Sequence, residues 1–444
     1  MDLAAARSAG VAAVAAAVVV TEAVRAAITD SDSVGKADRS PVTVADFAAQ
    51  AILILRLREA FPAVPVVAEE DADELRANPE LGAKVAARVQ ASPGCDGLSA
   101  EEIFAAIDVG RASPPGPAAG AAAPRYFWCI DPIDGTKGFL RNDQYAVCLG
   151  LVEVSADGRG TAVLGVLGCP NLTPMGEQEP DGGPRGAILH GCRGLGAATC
   201  PINGGESTAI AVARAPVADT VCVESVEPGH TDQAANAALC AAVGITAASV
   251  RMDSQCKYAV VARGEAGLYL RSSGSAQNIW DHAAGAAIVA EAGGCATDER
   301  GVALDFGAGR QLVKNTNGLV TSHGGGMHGI VIRNIALAAA GGEIPVAAAN
   351  VAEVEAEEEG EDFGGGLRLR VARDERDAQG AAALLEMCDT EFVFPGQQGG
   401  EGGGSERSWA ESVEGNAAGV RCYLPRESVA DGLVRASFMA TLAF

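Results

Sequence analysis

The amino-acid sequence predicts a layered α/β fold carrying an extra C-terminal extension. Three observations carry that expectation. Apolar residues recur at helical spacing over 43–60, 232–243 and 280–292. Short β-rich runs lie between them, at Val64–Ala68, Phe127–Ile130, Ala146–Val154, Val163–Leu167, Val221–Val226 and Gly267–Leu270. The turns are rich in glycine and proline, and no period of roughly 20–50 residues recurs, so a solenoid is excluded.

The first element is a buried helix. Ala9–Val20 is an apolar run of twelve residues, shorter than the roughly 20 that span a bilayer, and the helical pattern continues through Thr21–Ile28. Acidic Asp2 and a lone Arg7 make a poor leader, although a secretory or transit segment is the alternative. Thr43 is placed to cap the helix over 43–60, and Gly293–Gly294 to close the one over 280–292. Residues 91–124 hold five of the 20 prolines and an alanine-glycine run, and read as a surface excursion.

Beyond about Gly324 the composition changes. From residue 331 there are 20 acidic residues, nine arginines and no lysine, so this stretch holds 11 of the 24 net negative charges. Its opening third reads as a linker. Leu367–Arg373 then reads as a strand and Ala378–Cys388 as a helix.

Charge and cysteine exclude other classes. With 33 basic against 57 acidic side chains the chain lacks the basic footprint of a nucleic-acid binder. Anionic ligands are admitted only where a few cations or metal ions locally reverse the field. The 12 cysteines show no zinc-finger spacing and read as small hydrophobes in a reducing, cytoplasmic setting, an organelle being the alternative.

Three acidic clusters concentrate the chemistry. In Ile130-Asp131-Pro132-Ile133-Asp134-Gly135-Thr136, an apolar strand runs into Asp131 and the chain turns at Pro132. Two carboxylates three residues apart suit a hard cation such as Mg²⁺, and the amides of Gly135 and Thr136 suit an anionic phosphate. A plain capped turn uses the same residue types. Glu69-Glu70-Asp71 follows an apolar run and also reads as a solvated loop. Asp281 opens the third helix, beside a His282 that reads more readily as a packed histidine than as a ligand.

Taken in order, Lys36 to Asp46, Glu69-Glu70, Asp131 to Phe139 and Trp280 to Gly285 resemble the metal-dependent, lithium-sensitive phosphomonoesterases related to inositol monophosphatase. Lys137 to Arg141, Trp128-Cys129, Asp253 to Tyr258 and Leu304 to Gly307 resemble the 3′(2′),5′-bisphosphate nucleotidase branch. The likeness spans about residues 1–323. It implies an αβαβα sandwich of the inositol monophosphatase/fructose bisphosphatase type over 1–325, with lobes of about 1–205 and 206–325, and an extension over 326–444. It further implies that Glu69, Glu70, Asp131, the Ile133 carbonyl, Asp134 and Asp281 hold two or three Mg²⁺ ions. Asp46 and Thr136 would polarise the attacking water. Gly135, Thr136, His230, Ser254, Lys257 and Arg271 would meet the substrate.

The activity implied is hydrolysis of adenosine 3′,5′-bisphosphate to AMP and phosphate, with 3′-phosphoadenylyl sulfate as a second substrate. Alternatives are an inositol phosphate phosphatase and a non-catalytic phosphonucleotide sensor. The expected partner is a small phosphonucleotide rather than nucleic acid or membrane, met by a monomer.

Overall fold

The computed structural model describes residues 1–29, 40–117, 125–173, 185–272, 277–312 and 318–339, and six short strands beyond. Contacts divide the chain into two units, Met1–Gly324 with Ile330–Val346, and Gly325–Gly329 with Ala347–Phe444. The expected loop at Lys36 and helix over Ala378–Cys388 lie outside the described residues.

The first unit begins with α1 (Leu3–Thr29) and α2 (Ser40–Ala60), packed against each other. Because α1 is 27 residues long, Leu3–Ala27 reaches the length and hydropathy of a membrane span, which the twelve-residue apolar run understated. In this structure Ala13, Val14, Ala17 and Val18 are buried in the core, while Val19 is exposed. Thr43 lies inside α2 rather than at its cap, since the helix already begins at Ser40.

A seven-stranded sheet follows in chain order: β1 (Val66–Ala68), β2 (Arg125–Asp134), β3 (Ala146–Val154), β4 (Gly160–Cys169), β5 (Ala187–Cys192), β6 (Gly196–Pro201) and β7 (Thr208–Ile210). Only β1 and β2 pair in parallel. Between them lie α3 (Asp73–Ala77), α4 (Pro79–Gln90) and α5 (Ala100–Asp108). The reading of 91–124 as a surface excursion is therefore corrected. Ile103, Phe104 and Ile107 on α5 join the core, and Ser99 with Glu102 forms a complete capping box that starts the helix.

The second sheet runs β11-β12-β10-β8-β9, built from β8 (Cys222–Glu224), β9 (Val250–Arg251), β10 (Leu268–Ser272), β11 (Cys295–Asp298) and β12 (Gly318–Ser322). Its helices are α7 (Gln233–Val243), α8 (Cys256–Ala262) and α9 (Ala283–Glu291), with α6 (Thr136–Arg141) between β2 and β3. Leu164 and Val166 of β4 pack with α1 and α2; Leu167 and Cys169 pack with α8 and α9 on the opposite face. Helices α8 and α9 also touch the second sheet, and α7 packs on β10. The layers are therefore α, β, α, β, α, as the resemblance implied. Gly165 permits the close central layer: a Cβ there would stand 2.0 Å from the Ala284 carbonyl oxygen. The described cysteines are free thiols, all buried except partly exposed Cys295.

In the second unit three antiparallel pairs are described. They join Val354–Ala356 to Leu369–Val371, Thr390–Val393 to Leu433–Ala436, and Val420–Tyr423 to Met439–Leu442. The second of these six strands falls within the strand expected over Leu367–Arg373.

Candidate active site

Strand pairing brings the first acids together. The parallel register sets Ala68 beside Ile130, so Glu69 follows on alongside Asp131. β2 does not stop at Asp131, as its proline suggested. It continues to Asp134 through a register shift against β3 between the two aspartates. Pro132 has no N–H to give the ladder, and such an irregularity is how a strand accommodates it. Gly135 then turns the chain into α6 at φ +89°, and a Cβ there would lie 3.0 Å from the Ser254 Cβ. Both demands select glycine.

Asp281 ends a single 3₁₀ turn before α9, and Asp46 lies on α2. The carboxylates from these separate segments influence one another. The Glu69 pKa is pushed up to about 8 by burial first, then by Glu70, Asp281 and Asp134, against a smaller lowering influence from Asp131. The Glu69 residue is exposed as a whole, so protein crowds its carboxyl without enclosing it. Asp281 is pushed up to about 7 by burial and by Asp134, against the pull of Arg271. Glu70 rises to about 7 through burial, Asp71 and Glu74. Asp131 and Asp46 are raised well above the carboxylate range, each by burial and then by neighbouring acids.

Two cations face this group. The Arg271 guanidinium stands 3.8 Å from Asp281, and its buried Nε has no hydrogen-bond partner. Lys257 is buried and donates to the carbonyls of Met252 and Ser254 at 3.0 and 2.7 Å, leaving one of its three N–H donors. Burial is the largest influence on Lys257 and lowers its pKa to about 8. His230 is exposed at the end of a 3₁₀ turn, and its pKa is lowered by burial of part of the ring and then by Arg271 and Lys257. The Thr136 hydroxyl is exposed at the start of α6, a helix that contacts α2. Among the described residues no hydrogen bond joins it to Asp46. Ile133 is buried within β2. His282 is fully buried with Nδ1 2.9 Å from the Tyr258 hydroxyl, a packed histidine.

Donor chemistry and an orphaned atom test whether this group suits magnesium. The cluster is all oxygen, as a hard divalent cation requires. Asp131 Oδ1 is buried with no partner, an arrangement that costs free energy unless something fills it. As they stand, no three acidic, histidine or cysteine side chains among the described residues enclose an ion. The residues fit the ion by chemistry and charge, with closure of the carboxylates left to binding.

Three positioning residues were given no role in the sequence reading, although Gln255 lies within the Asp253–Tyr258 motif. Gln50 is buried on α2 and clamps the Glu70 backbone, donating to its carbonyl at 2.7 Å and accepting from its N–H at 2.9 Å. Arg310 donates to the carbonyls of Ala68 and Gly110, and lies 4.7 Å from the Trp280 ring centroid, so it ties the Glu69 arm to the residue before Asp281. Gln255 contacts both remaining acidic segments. A polar side chain amid the apolar face of α2 was the available signal for Gln50. The Leu304–Gly307 motif is a latch, with Asp305 accepting from the Gly160 and Gly307 amides.

The raised acids predict a pH effect. Between the ordinary carboxylate range and about 7–8 the folded chain retains protons that the unfolded chain releases, so stability falls as pH rises through that window. Thermal unfolding in chelator should therefore show a lower midpoint at pH 8 than at pH 5.5. Excess Mg²⁺ should remove most of that fall, and equal slopes with and without Mg²⁺ would contradict the prediction.

Acids from four segments of an αβαβα sandwich, influenced by Arg271 and Lys257, make an arrangement suited to a phosphatase-type hydrolase. The Inositol monophosphatase family model matches residues 4–335, and the chain belongs to that family, which is metal-dependent, generally on Mg²⁺. It is 41% identical over 303 residues to the 3′(2′),5′-bisphosphate nucleotidase of Emericella nidulans, covering 64% of this chain and 84% of that one. The like-named protein of Oryza sativa is 39% identical over 319 residues, covering 68% and 86%. The solved inositol monophosphatase from Anabaena aligns at a TM-score of 0.46 with 20% identity, over 75% of this chain and 96% of that one.

Proposed function

We propose that this protein hydrolyses the 3′-phosphate of adenosine 3′,5′-bisphosphate to AMP and phosphate in a Mg²⁺-dependent reaction, and accepts 3′-phosphoadenylyl sulfate as a second substrate. The observation that carries the reading is the meeting of acids from four separate segments beside Arg271 and Lys257. The names of the curated relatives support the nucleotide over an inositol phosphate.

Glu69, Asp131, the Ile133 carbonyl, Asp134 and Asp281 would hold two ions, with Glu70 joining through water or a third. When bound, Mg²⁺ supplies Lewis acidity toward the phosphate and makes water a stronger acid. The protein's own groups do the rest. Asp46, beside Glu69 and Glu70, is a strong base for a carboxylate because burial and those acids favour its protonated form. With Thr136 it orients a water in line with phosphorus and takes its proton. The amides of Gly135 and Thr136 meet a phosphate oxygen. Arg271, with its unpartnered Nε, is the principal anchor for the second phosphate, and Lys257 and Ser254 shape the wall beside it.

Phosphate release from bisphosphonucleotides and inositol phosphates, with and without chelator, tests the reading. Turnover of adenosine 3′,5′-bisphosphate should exceed that of inositol monophosphate, vanish in chelator and fall with millimolar Li⁺. Turnover confined to inositol phosphates would favour the other branch. No turnover of either, with nucleotide still bound, would make the chain a sensor.

A further inference from the structure

We propose that Gln255 is a positioning residue that couples the Asp134 carboxylate to the turn bearing Asp281, and so sets how tightly the acidic cluster takes a divalent cation. This rests on the reading of the cluster as a Mg²⁺ site and adds to it a residue that touches neither ion nor substrate.

Gln255 is 1% exposed and bonded on three sides. Its backbone N–H donates to Asp134 Oδ2 at 2.6 Å, a charge-assisted bond that uses one carboxylate oxygen and fixes the direction of the other. Its side-chain Nε2 donates to the Trp280 carbonyl at 2.8 Å, and its Oε1 accepts from the Gly285 N–H at 2.9 Å. Trp280 and Gly285 bracket Asp281, so one amide head grips both ends of the segment that presents this acid. Through residue 255, the position of Asp134 and that of Asp281 become one geometry.

The preceding residue aims the contact. Ser254 has φ +61°, a left-handed conformation rare outside glycine. Lys257 Nζ holds the Ser254 carbonyl at 2.7 Å, and the Ser254 hydroxyl accepts from the Cys256 N–H at 3.2 Å. That turn directs the next amide at Asp134. The side chain must be neutral and offer one donor and one acceptor at this reach. Glutamate lacks the donor and would add charge to an acidic cluster, while asparagine is one methylene short. A residue that merely filled space would need none of these.

Calorimetric titration of the metal-stripped full-length protein with Mg²⁺, and separately Mn²⁺, tests this. Gln255→Met removes both side-chain bonds while approximating the volume. It should weaken cation binding roughly 10–100-fold, the range typical of groups that orient metal ligands. The Mg²⁺ concentration for half-maximal phosphate release should rise by the same factor, while KM for the nucleotide at saturating Mg²⁺ moves less than about twofold. Combined with Asp281→Asn, its effect on cation affinity should be well below additive, because both changes act on one unit. Should Gln255→Met fail to fold, Gln255→Asn, which keeps the amide but shortens its reach, carries the same test at a smaller expected loss. A folded variant with wild-type cation affinity would overturn the inference and leave the metal reading standing. A wild-type chain that binds no cation would overturn both.

Discussion

Asp131→Asn should lower phosphate release on the order of 10³-fold and at the same time raise the thermal midpoint of the metal-free protein at pH 8. Both effects have one cause. Asp131 is 3% exposed, its Oδ1 has no partner, and Glu69, Asp134, Asp281 and Asp46 all raise its pKa. Ionising it there is unfavourable unless a cation arrives, so neutralising it relieves the folded state. The same neutralisation removes a charge that stabilises the transferring phosphoryl group, and losing one such preorganised stabiliser typically costs about 10²–10³ in rate. Opposite movements of stability and activity are the signature of a group held in place for function. Melting curves in chelator with single-turnover rates at saturating Mg²⁺ would check it. A variant less stable than wild type in chelator would show that Asp131 is a structural acid.

Arg271→Met should raise KM for adenosine 3′,5′-bisphosphate by roughly 10–100-fold and change kcat much less. Hydrogen bonds to charged groups contribute about 1.5–3 kcal/mol, which sets that range. Arg271 qualifies because its guanidinium is not wholly spent: it stands 3.8 Å from Asp281, beyond a hydrogen bond, and although it meets Tyr269 its buried Nε lacks a partner. Lys257 differs, since two carbonyls already hold its ammonium. Steady-state kinetics against the bisphosphate and a nucleoside 3′-monophosphate separates the roles. Loss confined to the bisphosphate identifies an anchor for the second phosphate, whereas equal loss on both would place Arg271 in the metal cluster's charge balance.

Much of this was legible in the residues. The apolar runs before Glu69 and Asp131 indicated two strands ending in acid, and they pair in parallel with both acids at one end. The alanine-rich helix after Asp281 and the close of that helix near Gly293 were also readable. Strands β5 to β7 were not, because 187–210 is glycine- and alanine-rich and gives little alternation. Helices α4 and α5 were masked by neighbouring prolines, although Ser99 and Glu102 carried the capping signal. In the site, acid positions follow from strand register, which local pattern reveals. The clamps do not: Gln50, Gln255 and Arg310 act on backbone groups far along the chain, so their partners depend on the assembled fold.

Diffraction from crystals soaked in Mn²⁺, recorded at its absorption edge, tests the central claim most directly. Anomalous peaks should lie within coordination distance of Glu69, Asp131 and Asp281, with Asp134 at an adjacent peak. Manganese bound only elsewhere, with no peak near Glu69, Asp131 or Asp281, would contradict the account.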